Sequence, residues 1–187
     1  MEVKEAQREV RTVYLGGFAG QLVSGLVWLA SAAAGTWVSR RLAIEVLVLG
    51  GVLIFPLTQL VLRAMGRPAS LGPANPLRAL AIQVAFTVPL GIPVALAATG
   101  YRVAWFYPAF MVIVGAHYLP FVFLYGMWPF AVLCALLVGS GVGLAYLAPA
   151  GFATGGWLAG ALLLVFAFVG RAFAAGQARR EGGTAAG

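Results

Sequence analysis

A chain of 187 residues that is 62% hydrophobic, only 9% charged and +0.96 in mean hydropathy carries far more apolar surface than a water-soluble domain, typically about 45–50% apolar and 25% charged, is able to bury. The composition excludes a soluble globular fold and predicts one integral membrane domain. The formal net charge of +7 sits in short stretches between apolar runs, not on a basic face with interleaved aromatics, which argues against nucleic acid as a partner; the single cysteine, Cys134, lies inside an apolar run, excludes an intramolecular disulfide and argues against a thiolate metal site.

Residues 1–12 alternate acids and bases, with Glu5 spaced to reach Arg8, and predict a short cytoplasmic helical segment. The mixed charge, followed by a long apolar run with no clear small-residue cleavage site, predicts that this is not a removable signal peptide. The first span is expected over 13–37, where Gly16, Gly20 and Ser24 form a small-residue line open to a neighbouring backbone and Gln21 and Trp28 share the adjacent strip. After Ser39, Arg40 and Arg41 a second span is expected over 42–62. Its Glu45 and Gln59 lie close to four turns apart and share a face with Val52 and Phe55, where Pro56 frees the Val52 carbonyl.

A loop rich in Gly, Pro, Ser and Asn follows, carrying Arg63, Arg67 and Arg78 at its ends and centre. Asn75 is expected to cap the third span, 77–98, which holds Gln83 and Thr87 one turn apart and then Pro89 and Pro93. The fourth span, 105–125, reads WFYPAFMVIVGAHYLPFVFLY and carries the sole histidine, His117; Pro120 leaves the Ala116 carbonyl without its amide partner. Tyr107, Tyr118 and Tyr125 fall near one line on this helix, with Met111 close by, a stripe that suits core packing and interface anchoring. Pro129 starts the fifth span, 129–147, with Gly139 and Gly143 one turn apart. After an APAG turn the sixth span, 152–169, repeats the pattern with Gly156 and Gly160, and residues 171–187 are expected to be a flexible tail, disordered past Gln177.

Six spans place both termini on one side. That side then holds Lys4, Arg8, Arg11, Arg63, Arg67, Arg78, Arg171, Arg179 and Arg180, against Arg40, Arg41 and Arg102 on the other. Positive residues are retained inside, so the termini are expected in the cytoplasm and the protein in the cell (inner) membrane, multi-pass. The expectation is an all-α, six-helix bundle kinked at Pro56, Pro89 and Pro120 and packed through glycine-bearing faces of the first, fifth and sixth spans, faces that also suit a homo-oligomer.

With this topology Gln21, Gln59, Gln83 and His117 fall in one layer about 5 to 12 Å below the inner surface, at about 1.5 Å per residue. Unpaired amides are costly in hydrocarbon, so these groups are expected to face inward. Two readings compete. Interhelical hydrogen bonding needs no ligand and is worth about 0.6 kcal/mol per contact. Alternatively Gln21, Gln59, Gln83, His117 and Tyr118 form a cytoplasm-facing pocket that binds or transports a small molecule or lipid headgroup, with His117 titrating if protons are coupled. Glu45 suits an interfacial pair with Arg41 or Arg102, or a gate, and Arg63, Arg67 and Arg78 suit attraction of an anionic lipid headgroup.

A non-catalytic interaction subunit is the alternative function. An enzyme reading has one foothold: Gly139-Ser140-Gly141 resembles the serine setting of rhomboid intramembrane proteases, which would pair Ser140 with His117, but the match covers three residues and the depths differ by about 6 Å. No cofactor and no metal is expected. The strings IFPLTQL (54–60), NPLRAL (75–80) and WFYPAFMVIVGAHYLPF (105–121) resemble a family of small bacterial multi-spanning membrane proteins of unknown function over roughly residues 16–127. That resemblance implies a bacterial inner-membrane setting and supplies no activity.

Overall fold

Backbone amides find no partner in hydrocarbon, so an apolar run that crosses a bilayer must close its hydrogen bonds within itself. Each expected span is accordingly one helix in the computed structural model, which describes residues 1–147 and 151–184, with side chains to Glu181. In chain order the helices are α1 (Val3–Val13), α2 (Phe18–Trp37), α3 (Arg40–Ala64), α4 (Arg78–Tyr101), α5 (Phe106–Tyr125), α6 (Pro129–Tyr146) and α7 (Thr154–Thr184). Six segments, including the 3-10 turns that lead into α2 and α5, are long and apolar enough to cross a membrane. Most of the APAG turn, residues 148–150, and the last three residues of the tail lie outside the described residues.

Several boundaries differ from the sequence expectation for local reasons. Val13 belongs to α1 and not to the first span, because the chain reverses through a 3-10 turn at Leu15–Gly17. Gly16 and Gly17 hold φ of 65° and 87° there, a conformation glycine enters without the Cβ penalty. Ser39 accepts a hydrogen bond from the Leu42 amide and starts α3 at Arg40. Asn75 is not the cap of α4: its Oδ1 accepts from the Leu77 amide while its Nδ2 donates to the Ala6 carbonyl and to Glu9. The segment expected to be disordered past Gln177 is helical as far as Thr184.

Neighbour contacts run in the order α3, α2, α7, α6, α5, α4, with α5 also touching α7, while α3 and α4 barely meet. The bundle is therefore a ring with one gap. On the side away from the gap, helices approach closely where glycines coincide. A Cβ on Gly25 would stand 3.1 Å from the Gly160 carbonyl oxygen, and one on Gly160 3.2 Å from that of Gly25. The close approaches of the first span to α7 are thus made by Gly16, against the Gly170 carbonyl as expected from the small-residue line, and by Gly25, whereas Gly20 faces Thr58 of α3 and Ser24 lines a cavity. On α6 the glycine that packs is Gly141, against the Pro108 carbonyl; Gly139 and Gly143, expected to pack, have open space beside them.

The amphipathic helix α1 lies across the terminal end of the bundle, burying Ala6, Val10 and Val13 at the i, i+4, i+7 spacing of one face. Its polar groups are tied to three separate elements. Gln7 donates to the Phe123 carbonyl, and Arg11 donates to the Tyr125 carbonyl at 2.8 Å and to Glu181 at 3.0 Å. Arg8 reaches the other oxygen of Glu181 at 2.7 Å, and Glu9 accepts from the Gly72 amide and from Asn75. Glu5 does not reach Arg8; it accepts from the Glu2 amide and completes a capping box.

Candidate ligand cavity

The gap in the ring opens onto a cavity of about 250 Å³ walled by α2, α3, α4 and α5. Helical spacing selects the residues on each wall. From α2 come Gln21, Ser24 and Trp28; from α3, Leu47, Gly51, Phe55, Thr58 and Gln59; from α4, Ala81, Ala85, Val88 and Ile92; from α5, Phe110, Val114, His117 and Tyr118. Gln21, Gln59, His117 and Tyr118 are thereby brought to one space, as expected from their shared depth. Gln83 is not among them. It sits about 200° around α4 from Ala81 at 100° per residue and is exposed on the outer face.

Gln21 is only 2% exposed, and neither its Nε2 nor its Oε1 has a hydrogen-bond partner. Thr58 Oγ1, buried on the adjoining α3 wall where it faces Gly20, has none either. The sequence reading missed Thr58, though the signal was present: it follows Gly51 by seven residues and Ile54 by four, the spacing of one helical face. His117, by contrast, is engaged. Thr87 Oγ1 lies 2.7 Å from His117 Nδ1 and also 2.7 Å from the Val84 carbonyl, which accepts its proton. The hydroxyl has one proton to give, so Nδ1 is the donor of the first pair and Nε2 is left as an acceptor.

Polarity changes along the cavity. Gln21, Thr58 and Gln59 lie toward the end of the bundle that carries both termini, where Tyr14, Leu124 and Tyr125 also line it; Trp28, Leu47, Ile92 and Phe110 form the wall further in. Among the described residues no charged side chain lines it. At the gap, Val52 and Phe55 of α3 line the cavity yet are 63% and 64% exposed, and Ala85 and Pro89 of α4 are likewise both lining and exposed. The mouth is thus lateral, near the middle of both helices. At the terminal end α1 and the α3–α4 loop cover the bundle, burying Val10, Val13, Leu71 and Leu77.

The remaining candidates lie elsewhere. Arg41 pairs with Glu45 at 2.8 Å, while Arg102 stands over the Trp105 ring and not on Glu45. Arg63, Arg67 and Arg78 are exposed and off the cavity wall. His117 turns to Thr87 of α4, and no hydrogen bond among the described residues joins it to Ser140 of α6. Of the tyrosine stripe, Tyr118 and Tyr125 line the cavity, whereas the Tyr107 hydroxyl donates to Ser31, which donates in turn to the Ala43 carbonyl.

Comparison with known proteins agrees with the sequence resemblance and extends it. No curated protein and no solved structure matches the chain. One family does match, over residues 3–172, which takes in α1, the first five apolar helices and the greater part of α7, and exceeds the 16–127 stretch that carried the resemblance. This membrane protein belongs to that family, a family of unknown function designated DUF7010.

Proposed function

We propose that the protein binds an uncharged small molecule in the α2–α5 cavity, without catalysing its conversion. Gln21 donates to it and accepts from it, Thr58 supplies a hydroxyl, and His117 Nε2 accepts. The observation that carries this reading is Gln21, which lines the cavity and has a buried amide with both polar atoms unpartnered, its Oε1 3.7 Å from where a Cβ on the cavity residue Gly17 would stand. Magnitudes separate the two roles open to it. An interhelical polar contact is worth about 0.6 kcal/mol, and Gln21 makes none, whereas an unsatisfied buried amide costs about 1–3 kcal/mol. Gln21 stabilises nothing in the chain alone and is accounted for by a ligand. Arg63, Arg67 and Arg78 have no part in this site, so the attraction of an anionic headgroup falls away from the proposal. The distribution of Lys and Arg supports an inner-membrane setting with cytoplasmic termini.

The test compares wild type with Gln21→Leu in thermal unfolding and in mass spectrometry of solvent extracts of the purified protein. A binding role predicts that Gln21→Leu loses a compound that the wild type retains and that, compared with wild type stripped of that compound, it unfolds at the same or a higher temperature. A lower unfolding temperature together with identical extracts refutes it.

A further inference from the structure

We infer that the ligand is a neutral single-chain amphiphile with a hydroxyl-bearing head, and that it reaches the cavity sideways from the bilayer, between α3 and α4. This rests on the reading of the Gln21 cavity as a binding site and names its ligand class. Three independent features of the cavity carry it.

The first is the route. Residues that both line the cavity and are exposed lie near the middle of α3 (Val52, Phe55) and of α4 (Ala85, Pro89), and these two helices barely meet. The outward sides beside that mouth are apolar, with Leu53 and Leu90 52% and 75% exposed. A mouth at this depth opens into hydrocarbon, so what passes through it must already be dissolved there. The terminal end, where a water-soluble compound would arrive, is covered by α1 and the α3–α4 loop.

The second is the absence of compensating charge. With no charged side chain on the wall, a phosphate or ammonium head would be desolvated without a partner, the most expensive burial there is. The head is therefore neutral. Gln21 presents a free donor and a free acceptor, and Thr58 a hydroxyl; a hydroxyl-bearing head answers both, since each hydroxyl donates once and accepts.

The third is the order of the walls. Polar groups gather at the terminal end, and Trp28, Leu47, Ile92 and Phe110 continue the cavity toward the opposite leaflet. From Gln21 to Trp28 the wall rises about 10 Å, and from Thr58 to Leu47 about 16 Å, at 1.5 Å per residue. That length suits a chain segment lying along the bundle with its head at Gln21. A tail moving from lipid into an apolar cavity gains little, because both surroundings are hydrocarbon. Selection must then come from the head.

The test uses the full chain in phosphatidylcholine nanodiscs and a monoacylglycerol with a diazirine midway along its acyl chain; the control probe carries the same chain on a phosphoglycerol head. After photolysis, peptide mapping is expected to place the monoacylglycerol on cavity residues such as Val114 and Ile92, and the phosphoglycerol probe only on outward residues such as Leu90. Gln21→Leu lowers cavity labelling about tenfold, as the loss of one or two hydrogen bonds requires. Gly51→Trp abolishes it without unfolding the protein, because a Cβ on Gly51 meets nothing within 4 Å and the indole projects into the mouth. Equal cavity labelling by both probes, or labelling confined to outward residues, overturns the inference. If labelling fails while Gln21→Leu still raises the unfolding temperature and releases a compound, only the ligand class and route are wrong. If Gln21→Leu is destabilising as well when compared with ligand-free wild type, the binding site itself is refuted.

Discussion

The two sides of the bundle differ in how the polar groups at their helix contacts are satisfied, although Trp105 Nε1 and Gln177 Oε1, away from the gap, are also buried without a partner. Among the described residues, the hydroxyls that tie α2 to its neighbours are satisfied: Ser31 links Tyr107 of α5 to the Ala43 carbonyl of α3, and Trp157 Nε1 of α7 donates to Thr36 Oγ1 at 3.0 Å. On the walls of the cavity behind the gap, the Gln21 amide of α2 and Thr58 Oγ1 of α3 are buried and unpartnered. The closed side is built by close glycine crossings, Gly25 on Gly160 and Gly156 on Tyr107. The open side has an exposed mouth and a cavity behind it. In lipid there is no hydrophobic force to close such a gap, because the tails outside are as apolar as the helices. A chain under selection for stability alone would fill it; keeping a buried amide bare is a cost that function accounts for.

Substitutions separate the two sides by size of effect. The largest is expected for Gly156→Leu, whose Cβ would fall 2.7 Å from the Tyr107 ring and 2.9 Å from Ala32 Cβ; overpacking there costs about 3 kcal/mol or more, read by chemical unfolding in detergent. Equal stability for wild type and variant would deny that this crossing holds the closed side. Next is Arg11→Ala, which frees the buried Tyr125 carbonyl and breaks the link to Glu181, a loss of about 2 kcal/mol with faster proteolysis of α1. Gln21→Leu runs the other way, a gain of about 1 kcal/mol in the absence of ligand, and a loss instead would erase the contrast drawn above. Gly139→Leu, in open space on α6, is expected to alter monomer stability by less than about 0.5 kcal/mol.

A smaller, pH-dependent effect belongs to the strap across the terminal end. The Gly72 amide first, and Asn75 second, hold the Glu9 carboxyl below the usual carboxylate range. A depressed folded-state value means that Glu9 contributes stability above the ordinary glutamate value of about 4.3, lost as pH falls through the lower folded value. The unfolding temperature of wild type is therefore expected to drop more steeply in that acid window than that of Glu9→Gln. Parallel profiles would remove Glu9 from the account.

Much of the fold was legible because the bilayer simplifies the physics. About 20 apolar residues admit one solution, a helix, so six spans and a short charged helical segment ahead of them followed from composition and charge. Depth was legible too, since rise per residue is constant, and Gln21, Gln59 and His117 do reach a common cavity. Direction was harder. Gln83 shares their depth but faces outward, because the α4 wall is made by Ala81, Ala85 and Val88. Thr58 stands beside the more conspicuous Gln59, and Asn75 accepts the Leu77 amide ahead of α4 but spends its own amide on α1. The tail was read from composition alone, with no means of seeing that Glu181 would meet Arg8 and Arg11.

By itself the sequence determined what hydrocarbon imposes on each segment separately: the helices, their approximate ends, and the depth of each polar group. Tertiary structure alone decided which neighbours those helices take, that α3 and α4 stand apart, and that Gln21 is left bare while His117 is occupied. The reason is that solvent acts on every residue individually, whereas partnering depends on rotations and crossings set jointly by small residues far apart in the chain, such as Gly25 and Gly160.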